Sequence, residues 1–230
     1  MFNQKIYVII PAYNEEKSIP KVIADIPKNL VAEIIVCNNN SKDKTAEVAL
    51  TAGATVLFEP KSGYGNACLK GINYLKNKAC AEDIIVFMDG DYSDYPEDII
   101  KIIAPIQNGE ADLVIGSRHL GVKENGAMTL PQVFGNWLAT KLIYIFYKVK
   151  FTDLGPFRAI NWANLMHIDM QDKTYGWTVE MQVKAAKLNL RCLEVPVNYR
   201  KRIGVSKVSG TIKGVIMAGY KIIFTIFKNI

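Results

Sequence analysis

The chain reads as an α/β protein with a mainly parallel central sheet and helices on both faces. Three observations predict it. Short apolar runs at Lys5–Ile10, Glu33–Cys37, Thr55–Phe58, residues 83–88 and Asp112–Gly116 alternate with stretches of helical composition. Helices of about ten residues or more between such runs give the rhythm of βαβ units. Several runs are continuously apolar rather than alternating, as strands covered on both faces are. Three of them end abruptly in polar loops, at 11–16, 37–41 and 89–95. Ligands in such sheets gather beyond the carboxyl ends of the strands, so these loops are expected to share one rim.

Lys5–Ile10 is the first strand, and Pro11-Ala-Tyr-Asn-Glu-Glu16 is the loop into a helix running to about Pro27. Glu33–Cys37 is the second strand and ends in Asn38-Asn-Asn-Ser41. Helical composition from Asp43 to about Ala52 leads to a third strand, Thr55–Phe58. Gly63-Tyr-Gly65 opens a helix reaching about Lys78, and the strand at 83–88 delivers Asp89-Gly-Asp-Tyr-Ser-Asp-Tyr-Pro96. Pro96 begins another helix, and Asp112–Gly116 is a further strand. After Ser117 the rhythm changes: 117–136 reads as a long loop and Phe134–Lys150 as an apolar helix. Asp153-Leu-Gly-Pro-Phe-Arg158 is a compact turn, Trp177–Leu190 a helix, and Arg191–Tyr199 alternates like a strand.

Residues 211–230 read as an amphipathic C-terminal helix, set apart from a domain spanning 1–208. At helical spacing Lys213, Lys221 and Lys228 fall within an arc of about 80°, leaving a wide apolar face. No run reaches the roughly 18 uncharged residues of a spanning helix. Two readings stay open: a helix lying in a membrane interface with its lysines near lipid phosphates, or one packed on the domain or on a second subunit.

Half of the 230 residues are hydrophobic and 22% are charged, which marks a globular chain. Cys37, Cys68, Cys80 and Cys192 show no CxxC spacing, and His119 and His167 stand alone, so a disulfide framework or zinc site is not expected. No secretory signal is read at the N-terminus. The net charge of +6 is uneven: residues 191–230 hold eight Lys/Arg against Glu194, a balance of +7 that leaves −1 for the rest. Such an end suits phosphates or an anionic membrane. Nucleic acid is not expected, because no recognised nucleic-acid motif accompanies the charge.

Asp89 and Asp91, flanking Gly90, offer two hard oxygen ligands at the end of a buried strand. That pattern suits Mg²⁺ or Mn²⁺, which takes one or two carboxylates and completes its shell with water and substrate phosphates. Asp-Gly-Asp followed by Ser, Asp and Pro is also turn chemistry, so on its own the stretch supports both readings.

Taken together, Pro11–Glu16, Ile34–Asp43 and Asp89-Gly-Asp91 resemble the inverting GT-A glycosyltransferases of family 2, in the branch of the dolichyl-phosphate mannose and glucose synthases. The resemblance runs from about residue 5 to 208 and includes Gly116-Ser-Arg118, Gly-Pro-Phe-Arg158 and Gly204-Val-Ser-Lys207. It implies that Asp89 and Asp91 hold a metal on the diphosphate of a UDP- or GDP-sugar, with Pro11, Gly90 and Gly65 near the donor. Tyr13 can stack on the base, and Glu15 can accept from base or ribose. Asn39 stands where the family commonly has Asp; it reads the base or makes an Asx turn. Lys61 and the Gly63/Gly65 turn either bring N–H groups to the donor or form only a turn. Arg118, Arg158, Arg200, Arg202, Ser206 and Lys207 are candidates for the leaving diphosphate or an acceptor phosphate, with Arg200 and Arg202 competing for one family position. Glu180 can orient the sugar or act as a base, or merely pair with Lys184; Asp153 is a second such carboxylate or a structural turn residue.

The resemblance further implies a polyprenyl phosphate acceptor and a cytoplasmic protein, peripheral on the inner face of the membrane, with a homo-oligomer left open. Two departures qualify it. Leu130–Asn136 carries no basic residue, leaving Gln132 and Asn136 as polar contacts, and Ser93 stands where the family often has a Gln metal ligand, so water or Asp94 would serve. The competing readings are transfer to a saccharide or small hydroxyl, which needs Glu180 or Asp153 as base, and a silent nucleotide-sugar binding module. A sugar-1-phosphate nucleotidyltransferase would need a Gly-rich, Arg-Lys-bearing loop after the first strand, which is not seen.

Overall fold

The computed structural model describes residues 4–204 and 212–229. Among these, seven strands make one sheet: β1 (Ile6–Ala12), β2 (Glu33–Asn38), β3 (Thr55–Phe58), β4 (Ile84–Phe87), β5 (Leu113–Ser117), β6 (Arg158–Asn161) and β7 (Cys192–Pro196). Their order is β3-β2-β1-β4-β6-β5-β7, parallel throughout except for β6, which runs antiparallel to both β4 and β5. Every residue of β1 is buried. Tyr7 and Ile9 face one core while Ile6, Val8 and Ile10 face the other, which is why the run is continuously apolar.

The helices are α1 (Ile19–Asp25), α2 (Thr45–Thr51), α3 (Tyr64–Leu75), α4 (Ile99–Gln107), α5 (Leu130–Tyr147), α6 (Trp162–Ile168), α7 (Trp177–Lys187) and α8 (Ile212–Lys228). Apolar residues of α1 and α4 close one core. Those of α3, α5, α6 and α7, joined by Ile226 of α8, close the other.

Two expectations need correction. The segment after Ser117 is shorter than read, because α5 starts at Leu130 rather than Phe134. Pro131 lies in its first turn, where the missing N–H costs nothing, and Gln132 Oε1 accepts from Thr129 N at 2.8 Å. The turn ending at Arg158 runs straight into β6, and α6 follows; neither was anticipated. β6 has only four residues, opening on Arg158 and closing on Asn161. α8 docks on α5 and α7, with Gly214, Thr225 and Ile226 buried, yet Ile216, Met217, Tyr220 and Phe224 remain exposed.

Candidate active site

The parallel strands β1, β2 and β4 end side by side, and their loops meet on one rim as expected. Asn14 N donates to Ser41 Oγ (3.0 Å), Glu15 N to Thr45 Oγ1 (2.8 Å) and Lys42 N to Asn14 Oδ1 (2.8 Å), binding the first loop to the second. Each rim loop contains one non-glycine residue in the left-handed region, Asn14 (φ 55°), Asn40 (φ 60°) and Tyr92 (φ 66°). Such backbone costs free energy and clusters at functional loops. Tyr13 is exposed on the rim, outside the core. Pro11 is a buried β1 residue aligned with Cys37. A Cβ on Gly90 would meet Ile19 Cδ1 at 2.9 Å, so this glycine lets the acidic loop sit down on α1.

Asp89 and Asp91 both line the same cleft. Tyr64 Oη, at the start of α3, donates to Asp89 Oδ1 at 3.0 Å. Burial, and then the neighbouring Asp91, push the Asp89 carboxyl up to about 6. Asp91 Oδ1 accepts from Ser93 N (2.9 Å) and Ser93 Oγ (2.5 Å), and its Oδ2 faces Arg202 Nη2 at 2.6 Å. Ser93 thus orients Asp91 from behind. Asp94 is buried too, and burial followed by the charges of Asp89 and Asp91 raises it well above the usual carboxylate range. Among the described residues no group of three His, Cys, Asp or Glu side chains is gathered as a metal cage. The two neighbouring carboxylates repel one another, and Arg202 offsets that only in part, since Asp89 stays raised. Two hard carboxylate oxygens opening on a cleft fit Mg²⁺ or Mn²⁺, with phosphate oxygens and water as the remaining ligands.

On the basic side, the structure separates the two competing arginines. Arg200 stacks on Tyr92 (3.4 Å) and Tyr95 (4.3 Å) and donates to Tyr92 O and Asp94 O, so it braces the acidic loop from outside. Arg202 lines the cleft. Arg118 lines it as well, packed over the Tyr199 ring at 5.1 Å. Its fork is held by Asp153, with Nε to Oδ2 at 2.8 Å and Nη2 to Oδ1 at 2.6 Å. Burial alone would raise Asp153, but the Arg118 charge and hydrogen bonds outweigh it and hold the carboxyl below its ordinary value. Ser206 and Lys207 lie outside the described residues.

Several polar side chains expected at the ligand are occupied by the protein's own backbone. Arg158 is fully buried and donates to Leu154 O, Gly155 O and Thr178 O, so it ties the start of β6 to α7 and does not meet a phosphate. Asn39 gives its amide N–H groups to Glu59 O and Lys61 O and accepts from Gly63 N (2.8 Å); it shapes the 59–63 loop. Gly65 is required by packing, since a Cβ there would stand 2.0 Å from Asp172 O, and Asn66 N donates to Lys173 O; this turn grips the 172–173 backbone rather than a donor. The Lys61 side chain is exposed. Glu15, which precedes α1, accepts from Ser18 Oγ (2.7 Å) and faces Arg202 at 3.8 Å. Asn136 bonds Thr152 O and Leu154 N, whereas Gln132 does line the cleft.

Glu180 sits away from the cleft. It is buried, accepts from Gln171 N and Asp172 N, pairs with Lys184 at 2.8 Å, and borders a separate cavity of about 300 Å³. The main cleft, about 500 Å³, runs from Asp89 and Asp91 past Arg118 and Arg202 and out between α5 and α8. Its outer walls are apolar, with Leu138, Ala139 and Leu154 on one side and Val215, Ile222 and Ile223 on the other. Two site residues were not anticipated, Tyr64 and Tyr199. The signal for Tyr64 was its place between two glycines, which marks a close approach of backbones.

Comparison with known proteins identifies the family. The family described as Glycosyl transferase family 2 matches residues 7–173. An undecaprenyl-phosphate mannosyltransferase of Micrococcus luteus is 31% identical, covering 91% of this chain and 90% of that one. A UDP-N-acetylglucosamine–dolichyl-phosphate N-acetylglucosaminyltransferase of Methanococcus voltae is 29% identical over 97% of this chain and 95% of its own length. The structure of glucosyl-3-phosphoglycerate synthase from Mycobacterium tuberculosis, in complex with Mn²⁺, UDP-glucose and phosphoglyceric acid, superposes with a TM-score of 0.77 at 21% identity. That match covers 98% of this chain and 79% of the other and places the sheet in the GT-A fold. No helix among the described residues is long and apolar enough to cross a membrane. The chain belongs to glycosyltransferase family 2 and is a glycosyltransferase, with relatives named for transfer to polyprenyl phosphates.

Proposed function

We propose that the protein moves a hexose from a UDP- or GDP-sugar to a polyprenyl phosphate, with inversion, using Mg²⁺ or Mn²⁺ on Asp89 and Asp91. The observation that carries this reading is the cleft itself: polar and charged at the acidic loop, apolar where it opens between α5 and α8. A polyprenyl phosphate has that same polarity, an ionised head on a hydrocarbon tail. The exposed apolar side chains of α5 and α8, among them Phe134, Trp137, Ile216 and Tyr220, extend the apolar wall to the surface. They fit a protein resting peripherally on the inner face of the cytoplasmic membrane, where such an acceptor is presented.

The metal, when bound, supplies Lewis-acid stabilisation of the departing diphosphate. Tyr13 stacks on the base and Glu15 accepts from the nucleoside. Arg118 and Arg202 neutralise phosphate charge, and the apolar walls exclude water, which strengthens those contacts. Charge placement of this kind replaces the basic residues missing from Leu130–Asn136. The chemistry needs no proton acceptor, because a phosphate nucleophile is already ionised. That agrees with Asp153 being locked to Arg118 and Glu180 facing another cavity, and it weighs against a saccharide acceptor.

A panel of UDP- and GDP-sugars with Mg²⁺ or Mn²⁺, read by binding and by transfer to polyprenyl phosphate, tests the reading. One donor class is expected to bind only with metal and to transfer, and Asp91→Ala to lose both. If no nucleotide sugar binds, or if Asp91→Ala turns over like the parent, the proposal fails.

A further inference from the structure

Arg202 stands where a cation belongs. Its Nη2 lies 2.6 Å from Asp91 Oδ2 and 3.8 Å from Glu15 Oε1. The backbone around it is anchored to the acidic loop, with Ile203 N donating to Asp91 O and Arg200 N to Ser93 O, each at 2.9 Å. Arg200, stacked on Tyr92 and Tyr95, fixes the same segment. The fork is only partly used, for Arg202 Nε is buried without a hydrogen-bond partner among the described residues. A divalent cation on Oδ2 would share that oxygen with the guanidinium and lie within a few ångströms of its positive charge, so the two cations compete for Asp91. Displaced from Asp91, the guanidinium would suit the diphosphate that arrives with the metal, whose oxygens match its fork.

We propose that Arg202 and the metal exchange at Asp91. Arg202 holds Oδ2 in the resting protein, yields it when a divalent cation enters with a nucleoside diphosphate, and turns its fork onto the diphosphate oxygens. The inference rests on the nucleotide-sugar reading and adds to it a mutual dependence of metal and nucleotide. Metal alone binds weakly, because it must break a charge-assisted pair beside a resident positive charge. Metal and nucleotide together bind well, because the displaced guanidinium gains a new anion. Such coupling is reciprocal, so each ligand raises the affinity for the other by one common factor.

The test is Mn²⁺ titration of the full chain by electron paramagnetic resonance and calorimetry, with and without UDP or GDP, for the parent, Arg202→Gln and Arg202→Lys. Arg202→Gln is expected to bind Mn²⁺ alone about tenfold more tightly, and the enhancement of Mn²⁺ binding by nucleotide to fall by about tenfold or more. Arg202→Lys keeps the charge without the fork and is expected between the two, which also covers a Gln variant that fails to fold. Asp91→Ala should erase the effect of Arg202→Gln on Mn²⁺. The exchange is refuted if Arg202→Gln binds Mn²⁺ alone no more tightly than the parent, or keeps the full nucleotide enhancement. A parent that binds Mn²⁺ but neither nucleotide refutes the nucleotide-sugar reading and the second half of the exchange; the Mn²⁺-only comparison still decides the first half.

Discussion

Asp153 shows how one buried carboxylate can be structural and yet serve the site. It receives the Arg118 fork and Arg118 N, so it sets where the guanidinium meets the cleft. Breaking a buried pair strands a charge, and Asp153→Asn is expected to lower unfolding free energy by about 3–5 kcal/mol in denaturant titrations. The pair also carries a pH signature. Because the folded carboxyl lies below its ordinary value, its contribution is present above the unfolded pKa and disappears as pH falls through the folded one. Acid unfolding of the parent should therefore be steeper than that of Asp153→Asn. Glu180→Gln separates the two acceptor readings. It should cost about 1–3 kcal/mol of stability by weakening the clasp on Gln171 and Asp172, while transfer to polyprenyl phosphate persists. Loss of transfer in a folded Glu180→Gln protein would return Glu180 to the chemistry.

Elements were legible where burial is two-sided and aliphatic, and illegible where a strand is short and polar at its ends. The runs at β1, β2, β4 and β5 announce themselves through buried Ile and Val, whereas half-buried β3 shows through its place in the strand–helix rhythm. In β6, Arg158 and Asn161 flank only Ala159 and Ile160, and the strand is held by its neighbours rather than by propensity. The acidic loop was legible only in company with the loops at Pro11–Glu16 and Ile34–Asp43, because Asp-Gly-Asp alone also makes a turn. The roles of Asn39, Arg158 and Asn136 were not, because an amide or guanidinium serves a ligand and a backbone carbonyl with the same atoms, and only the fold decides which is nearer. At this scale α5 and α8 make a further prediction. Phe134→Asp and Ile216→Asp each remove an exposed apolar contact, and each should weaken binding to anionic vesicles by about tenfold in sedimentation assays, given about 1.5–3 kcal/mol per buried apolar side chain. Melting temperatures should stay unchanged, since neither side chain supports the core.

The whole molecule places its acidic pair between the sheet and the paired helices, so ligand binding should be read globally. Mn²⁺ with the correct nucleotide, at a hundred times its Kd, is expected to stabilise the chain by about 2.7 kcal/mol in thermal melts, and metal alone by much less. The position of β6 has a consequence for how the chain is made. The four strands from β3 to β4 are hydrogen-bonded to one another and complete by Phe87. β5 is synthesised next, but its only sheet neighbours are β6 and β7, which begin at Arg158 and Cys192. Through about forty residues of translation β5 is an apolar strand with both edges open, an arrangement prone to aggregation. The last strands to leave the ribosome thus close the sheet and bring Arg118, just beyond β5, to its place beside the acidic loop.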